Sequence, residues 1–242
     1  MARMSDKKIS DRDLSNVLAI IEQPETIRKL LEDVRPGDVA EFLEKLTDNG
    51  HKIKIFQALD DEDASEILPL LNDQNREIVM QKMTVSEMSE IVEEMDSDDA
   101  ADIVQELPDE QQEKLLAALP AEDSAEVRSL LTYPEESAGG IMQIELVSLR
   151  DSQTCHDAIE MIRTKSDEVE ELHNVFVTDS KNVLLGVVPL RKLILNSPDT
   201  PIKEIMDPDP VSVNVMEDEE AVGRLFSKYD IVSLAVVDNA GR

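Results

Sequence analysis

The chain is 242 residues long, which predicts two compact units, and 54 acidic residues against 24 basic ones leave a net charge of -30, excluding direct binding to nucleic acid or anionic lipid. Hydrophobic residues make up 41% and recur periodically, which excludes an acidic disordered tail; aromatic residues at 2%, with no Trp, exclude stacking platforms for bases or sugars. A single Cys excludes an internal disulfide and fits a reducing compartment, no charged-then-apolar leader opens the chain, and the most apolar run, Val183 to Leu190, is far short of the ~20 residues of a membrane span.

After a lead-in over residues 1–20 comes an acidic region over 21–132, in which one short pattern recurs from Asp38 to about Leu131: an acid, two small or apolar residues, an acid, then apolar residues. It is centred on Asp38 and Glu41, Asp63 and Glu66, Glu87 and Glu90, Asp99 and Asp102, and Asp123 and Glu126, in steps of 25, 24, 12 and 24 residues. Between these copies lie His51 to Leu59, Asn75 to Met83 and Gln111 to Leu119, with apolar residues three and four apart. Helices of this length are unstable alone, so each must bury its stripe on neighbours, and the pattern predicts an α-helical superhelix, or solenoid. Links such as Leu107-Pro108-Asp109-Glu110 stop one helix and start the next, and their acids suit the positive end of a helix dipole. Capping accounts for any one acid but not for thirty uncompensated charges, which repel one another in a compact state and call for a counterion.

At Tyr133 to Met142 the helical pattern stops, and Gly139-Gly140 predicts a joint whose backbone uses conformations closed to other residues, positive φ among them. From 143 to 205 the order is strand, helix, strand, strand, helix: Val147 to Leu149, Thr154 to Thr164 opened by a Thr154/Asp157 capping box, Asn174 to Thr178, Val183 to Val188, and Leu190 to Leu195. Asp179 to Asn182 reads as a hairpin turn. After Ile205-Met206 the order restarts over 206–242 with Val211 to Val213, a helix from Asp218 to Tyr229, a strand from Val232 to Val237 and a second turn at Asp238 to Gly241. A strand entering a turn without returning leaves an open edge, so this second unit is expected to be incomplete at Arg242.

Two such units, each preceded by Ile-Met, resemble a pair of CBS domains. With the acidic solenoid and the YPEESAGGIM joint before them, residues 20 to 242 resemble the cytosolic part of the MgtE family of magnesium channels. The expected fold class is thus multi-domain, α and α/β: a helical N domain, then a tandem CBS pair whose second member is truncated. The resemblance implies a homodimer on the cytoplasmic side of the cell membrane, with a transmembrane pore domain following and Mg2+ as the bound ion. It further implies that Mg2+ bridges acidic faces of the N domain, the CBS domains and the pore-connecting helix, closing the pore. A hard divalent cation takes oxygen ligands and keeps several waters, so sparse acids suffice.

The resemblance also points to ligands. Asp98 and Asp102 lie four apart on one helix face with Asp99 in the same turn, an unfavourable spacing for like charges that lack a counterion; each also serves as an ordinary helix-start acid. Glu220 and Asp230 bracket the helix of the second CBS unit and match ion-binding positions, with the Ser227 carbonyl between them, and Gly140 offers another carbonyl. A CBS-based adenine-nucleotide sensor or regulatory scaffold for another partner is the alternative: Arg191 suits a phosphate, but Lys192 stands where a ribose-binding Asp is expected. No enzyme is expected. Cys155 and His156 are neighbours that point apart at a helix start, and His51, His156 and His173 lack zinc-ligand spacing.

Overall fold

The structure, a computed structural model, describes residues 16–166 and 172–242. The first fifteen residues of the expected lead-in lie outside the described residues. The chain divides into two compact units, residues 1–128 and 129–242, and the expected joint belongs to the second.

Unit 1 is built of short helices: α1 (Pro24–Leu31), α2 (Pro36–Lys45), α3 (Asn49–Phe56), α4 (Asp61–Ile67), α5 (Asp73–Met80), α6 (Val85–Glu93), α7 (Ser97–Gln105), α8 (Asp109–Ala118) and α9 (Ala121–Leu130), whose last residues enter unit 2. Up to α6 each helix packs on the next but one, and α6 on α8, so that α1, α3 and α5 form one row and α2, α4, α6 and α8 the other, while α7 packs on its neighbours α6 and α8. The repeated acids Asp38, Asp63, Glu87, Asp99 and Asp123 all fall in a first helical turn, where the dipole favours them. The single step of 12 residues, from Glu87 to Asp99, is where two copies follow each other as α6 and α7 with no partner helix between. The alternation shifts there, and the partner-type α8 lands in the row of α6. The core is the inward side of each helix, with Ile27, Leu43, Ile55, Leu68, Ile103 and Leu115 fully buried. Each such side chain stabilises the fold by roughly 1.5–3 kcal/mol, enough to offset the weak intrinsic stability of two-turn helices. Arg128 on α9 grips Glu113 on α8 with two hydrogen bonds, at 3.1 and 3.0 Å.

Unit 2 holds two small sheets. The first has the order β1-β2-β3: β1 (Ser148–Arg150) runs parallel to β2 (Asn174–Thr178), which is antiparallel to β3 (Leu184–Pro189). Between β1 and β2 comes α10 (Cys155–Thr164), started by the Thr154/Asp157 capping box. After β3 come α11 (Leu190–Leu195) and a four-residue helix, α12 (Ile202–Ile205), that periodicity alone did not signal. The second sheet is β4 (Ser212–Asn214) parallel to β5 (Ala235–Val237), with α13 (Glu219–Tyr229) between them. β5 begins three residues later than the apolar run from Val232 suggests; residues 230–234 carry the chain away from the left-handed end of α13, and Val232 is 67% exposed.

The two turns repeat each other bond for bond. Asp179 N donates to Val183 O at 2.9 Å, and Asp238 N to Arg242 O at 2.8 Å; the fourth residue, Asn182 or Gly241, has φ of 63° or 76°. In each turn the Asp Oδ1 accepts from two backbone N–H groups, two and four residues on. These donors hold both carboxyls below the usual carboxylate range. A depressed folded value means stabilisation that is full above the unfolded pKa and lost as pH falls through the folded one. Asp179→Ala should therefore lower the melting temperature of unit 2 at neutral pH, and the difference from wild type should close in acid. A pH series of thermal melts reads this, and a difference that persists undiminished at the acid end would contradict it.

Candidate cation-binding acids

The start of α7 gathers four acids in seven residues. Asp98 and Asp99 sit in its first turn, Asp102 one turn on, and Asp96 at its N-cap. Helical geometry puts Asp98 and Asp102 on one face, as the spacing predicts. Asp99 is half-buried. Burial, then the charges of Asp98, Asp96 and Asp102, push its carboxyl up to about 6, and Arg76 only partly offsets them.

Arg76 was not foreseen from the sequence. It rises from α5, only 15% of its side chain exposed, donates to the carbonyls of Pro69 and Leu71 at 3.1 and 3.0 Å, and forks onto both carboxylate oxygens of Glu106 at the C-cap of α7. Burial works against its charge, but the Glu106 hydrogen bond and the charges of Glu106, Asp73 and Asp102 outweigh that and raise its pKa. The charge that partly offsets the acids around Asp99 thus comes from a guanidinium already forked onto Glu106.

The second group does not converge. Glu220 is in the first turn of α13 and Asp230 at its C-cap, ten residues or about 15 Å along the axis, so one ion cannot touch both in one chain. Glu220 is exposed and lies 3.5 Å from Arg224. Asp230 has a structural duty: at φ 51° it ends the helix in the left-handed region, which Asp tolerates better than most residues, and its N–H donates to Phe226 O. Ser227 stands in the exposed last turn, beside Asp230 rather than midway between the acids.

Gly140 departs from the positive φ expected of the joint: among the described glycines only Gly241 has one. What requires glycine is close approach, since a Cβ would fall 2.4 Å from Pro134 O and 2.6 Å from Glu135 O. Its N–H donates to Ser137 O at 2.9 Å. Arg191 is exposed in the first turn of α11, and Lys192 donates from Nζ to Ile205 O at 2.7 Å, tying α11 to α12. Cys155 is fully buried, its thiol pushed up by burial, while His156 beside it is exposed. Among the described residues no three His, Cys, Asp or Glu side chains come together so as to hold a metal ion, and no helix is long and apolar enough to cross a membrane.

An acidic helical solenoid that leads through a glycine joint into strand-helix-strand units defines a solenoid-plus-CBS protein. The chain matches the MgtE intracellular N domain over residues 34–136 and the CBS domain over residues 138–199. It is 40% identical over 118 residues to the magnesium transporter MgtE of Thermus thermophilus, a stretch covering 49% of this chain and 26% of that protein. The crystal structure of the cytosolic domain of the Mg2+ channel MgtE in complex with ATP is 32% identical with a TM-score of 0.89, covering 96% of this chain and 94% of that one. That of the soluble part of a magnesium transporter is 28% identical with a TM-score of 0.86, covering 96% and 92%. The chain belongs to the MgtE family, and the stretch that matches these transporters covers about a quarter of their length. Neither matching family model is that of an enzyme.

Proposed function

We propose that this chain is the magnesium-sensing and gating region of an MgtE-type channel, on the cytoplasmic side of the cell membrane. Its working parts are the lead-in (1–20), solenoid (21–132), joint (133–142), first CBS domain (143–205) and second CBS domain (206–242). It works as a homodimer ahead of a transmembrane pore. Mg2+ bridges acidic faces of the N domain, the CBS domains and the pore-connecting helix and closes the pore; at low Mg2+ the faces repel and release it.

One observation carries the reading: the Asp96 to Asp102 turn, where burial and neighbouring charge raise Asp99 to about 6. Four acids held together at that cost suit a cation from solution. The donors are hard carboxylate oxygens, which fit Mg2+, and an ion held by one or two of them keeps most of its water, consistent with the lack of a closed three-acid cage among the described residues. On this reading Asp98, Asp99 and Asp102 hold ions on the solenoid. Glu220 at one end of α13, and Asp230 with the Ser227 carbonyl at the other, hold separate ions on the second CBS unit; the Gly140 carbonyl supplies one more oxygen at the joint. Millimolar Mg2+ should raise the melting temperature of the chain above that in chelator at equal ionic strength, by the linkage of binding to folding; identical melts would refute the reading.

A second reading, an adenine-nucleotide sensor, is favoured by the complex with ATP of the 32%-identical cytosolic domain. Arg191 would then meet a phosphate. Lys192, engaged with Ile205 O, leaves the ribose without its usual acidic partner. Titration of ATP with and without Mg2+ separates the two readings.

A further inference from the structure

The linkers of unit 2 are exchanged. The joint precedes the first sheet in sequence, yet its backbone bonds to the second: Ala138 N donates to Glu217 O at 2.7 Å and Gly139 N to Val215 O at 2.8 Å, while Glu219 N, opening α13, donates to Glu136 O at 3.0 Å. Ala138 is fully buried in one cluster with Val213 and Val222. The other linker does the reverse. Ile202 N donates to Gln153 O and Cys155 N to Thr200 O, and Ile202 is buried in the core of the first sheet with Leu149 and Val175. Each Ile-Met linker is thus an integral part of the neighbouring unit rather than the one it introduces.

The joint is gripped along its length. The Tyr133 ring covers Gly139, where a Cβ would fall 2.6 Å from Cγ, and Ser137 is buried with its Oγ donating to Pro134 O at 2.6 Å. Tyr133 N in turn donates to Leu130 O at the end of α9. Hydrogen bonds within unit 2 therefore follow the chain from Leu130 through the joint to the start of α13.

We propose that the joint is a mechanical extension of the second CBS unit. Loosening the first turn of α13 or its core releases residues 136–139, and with them the chain leading back to α9, while the first sheet stays formed. Whatever tightens the second unit fixes that path directly, bypassing the unit that follows the joint in sequence. This goes beyond the gating reading and does not depend on which ligand acts.

Amide hydrogen exchange on the whole 242-residue chain tests it. Val222→Ala, in the core of the second unit, should speed exchange at Ala138, Gly139 and Glu219 by about tenfold. Val175→Ala, the same truncation in the first sheet, should speed exchange in β1 to β3 and at Ile202, yet leave Ala138 and Gly139 within about twofold of wild type. Leu225→Ala, at the margin of the second cluster, is the milder variant should Val222→Ala unfold the unit. Ala138 and Gly139 following Val175→Ala, or staying protected while α13 opens in both second-unit variants, overturns the proposal.

Discussion

Gly186→Ala should cost unit 2 about 3 kcal/mol. Gly186 is buried on β3 opposite Val177, beside the register shift at Val177/Thr178. A Cβ there would fall 2.4 Å from the backbone carbonyl oxygen of Asp207 and 3.1 Å from Met206 Sδ. The sulfur can swing aside; the carbonyl cannot, because Asp207 and Val187 exchange two backbone hydrogen bonds, at 3.0 and 2.8 Å. Relief of the clash must pull Met206-Asp207 off β3, losing both bonds, each contributing about 1 kcal/mol, on top of overpacking strain of about 1–3 kcal/mol. For a unit of this size that is a fall of roughly 10 °C or more in melting temperature. Unit 1, the other compact unit of the chain, should melt unchanged. A variant whose unit 2 melts within about 2 °C of wild type would mean that the Met206-Asp207 segment is not held on β3.

Asp99→Asn should do the opposite in the absence of divalent cations. The folded pKa of Asp99 is raised to about 6 from 3.8, so the folded state binds its proton more tightly than the unfolded one does. The ionised carboxylate therefore costs stability above pH 6, and that cost fades as pH falls from 7 towards 4. Asn removes it: after discounting for solvent around a half-exposed group, the variant should be about 1 kcal/mol more stable than wild type in chelator at pH 7, with the gap closing near pH 4. With millimolar Mg2+ the order should narrow or reverse, because wild type gains RT ln(1 + [L]/Kd) and the variant, having lost a ligand, gains less. A helix-start acid with no further duty behaves otherwise. Its removal destabilises the helix in both conditions and leaves the Mg2+ increment intact.

Features carried by neighbouring residues were legible in the sequence. Thr154 and Asp157 form the capping box their spacing predicts, Asp179 to Asn182 make the expected turn, and the acid repeat marks the helix starts of the solenoid. Even the anomalous 12-residue step carried information, since it locates the place where the two rows change partners. Features made by distant residues were not legible. Nothing near Ala138 signals that its N–H will find Glu217 O, and nothing near Ile202 signals that it will enter the core of the first sheet. A repeated Ile-Met marks two equivalent linkers, but not that they trade places. In the acidic turn, Asp98, Asp99 and Asp102 could be listed from spacing alone. The elevation of Asp99 required Asp96 and the degree of burial, and Arg76 sits on another helix, its role fixed by Glu106 thirty residues on. Conversely, the wide separation of Glu220 and Asp230 was implicit from the start, because ten residues of helix span about 15 Å.

Small-angle scattering of the chain, in millimolar Mg2+ and in chelator at the same ionic strength, tests the central claim most directly. With a net charge of -30, acidic faces repel wherever only monovalent ions screen them, and bridging ions draw them together. The predicted result is a smaller radius of gyration in Mg2+, with the contraction diminished in a chain carrying Asp98→Asn, Asp102→Asn, Glu220→Gln and Asp230→Asn. A radius that does not respond to Mg2+, or a contraction of equal size in the quadruple variant, would contradict it.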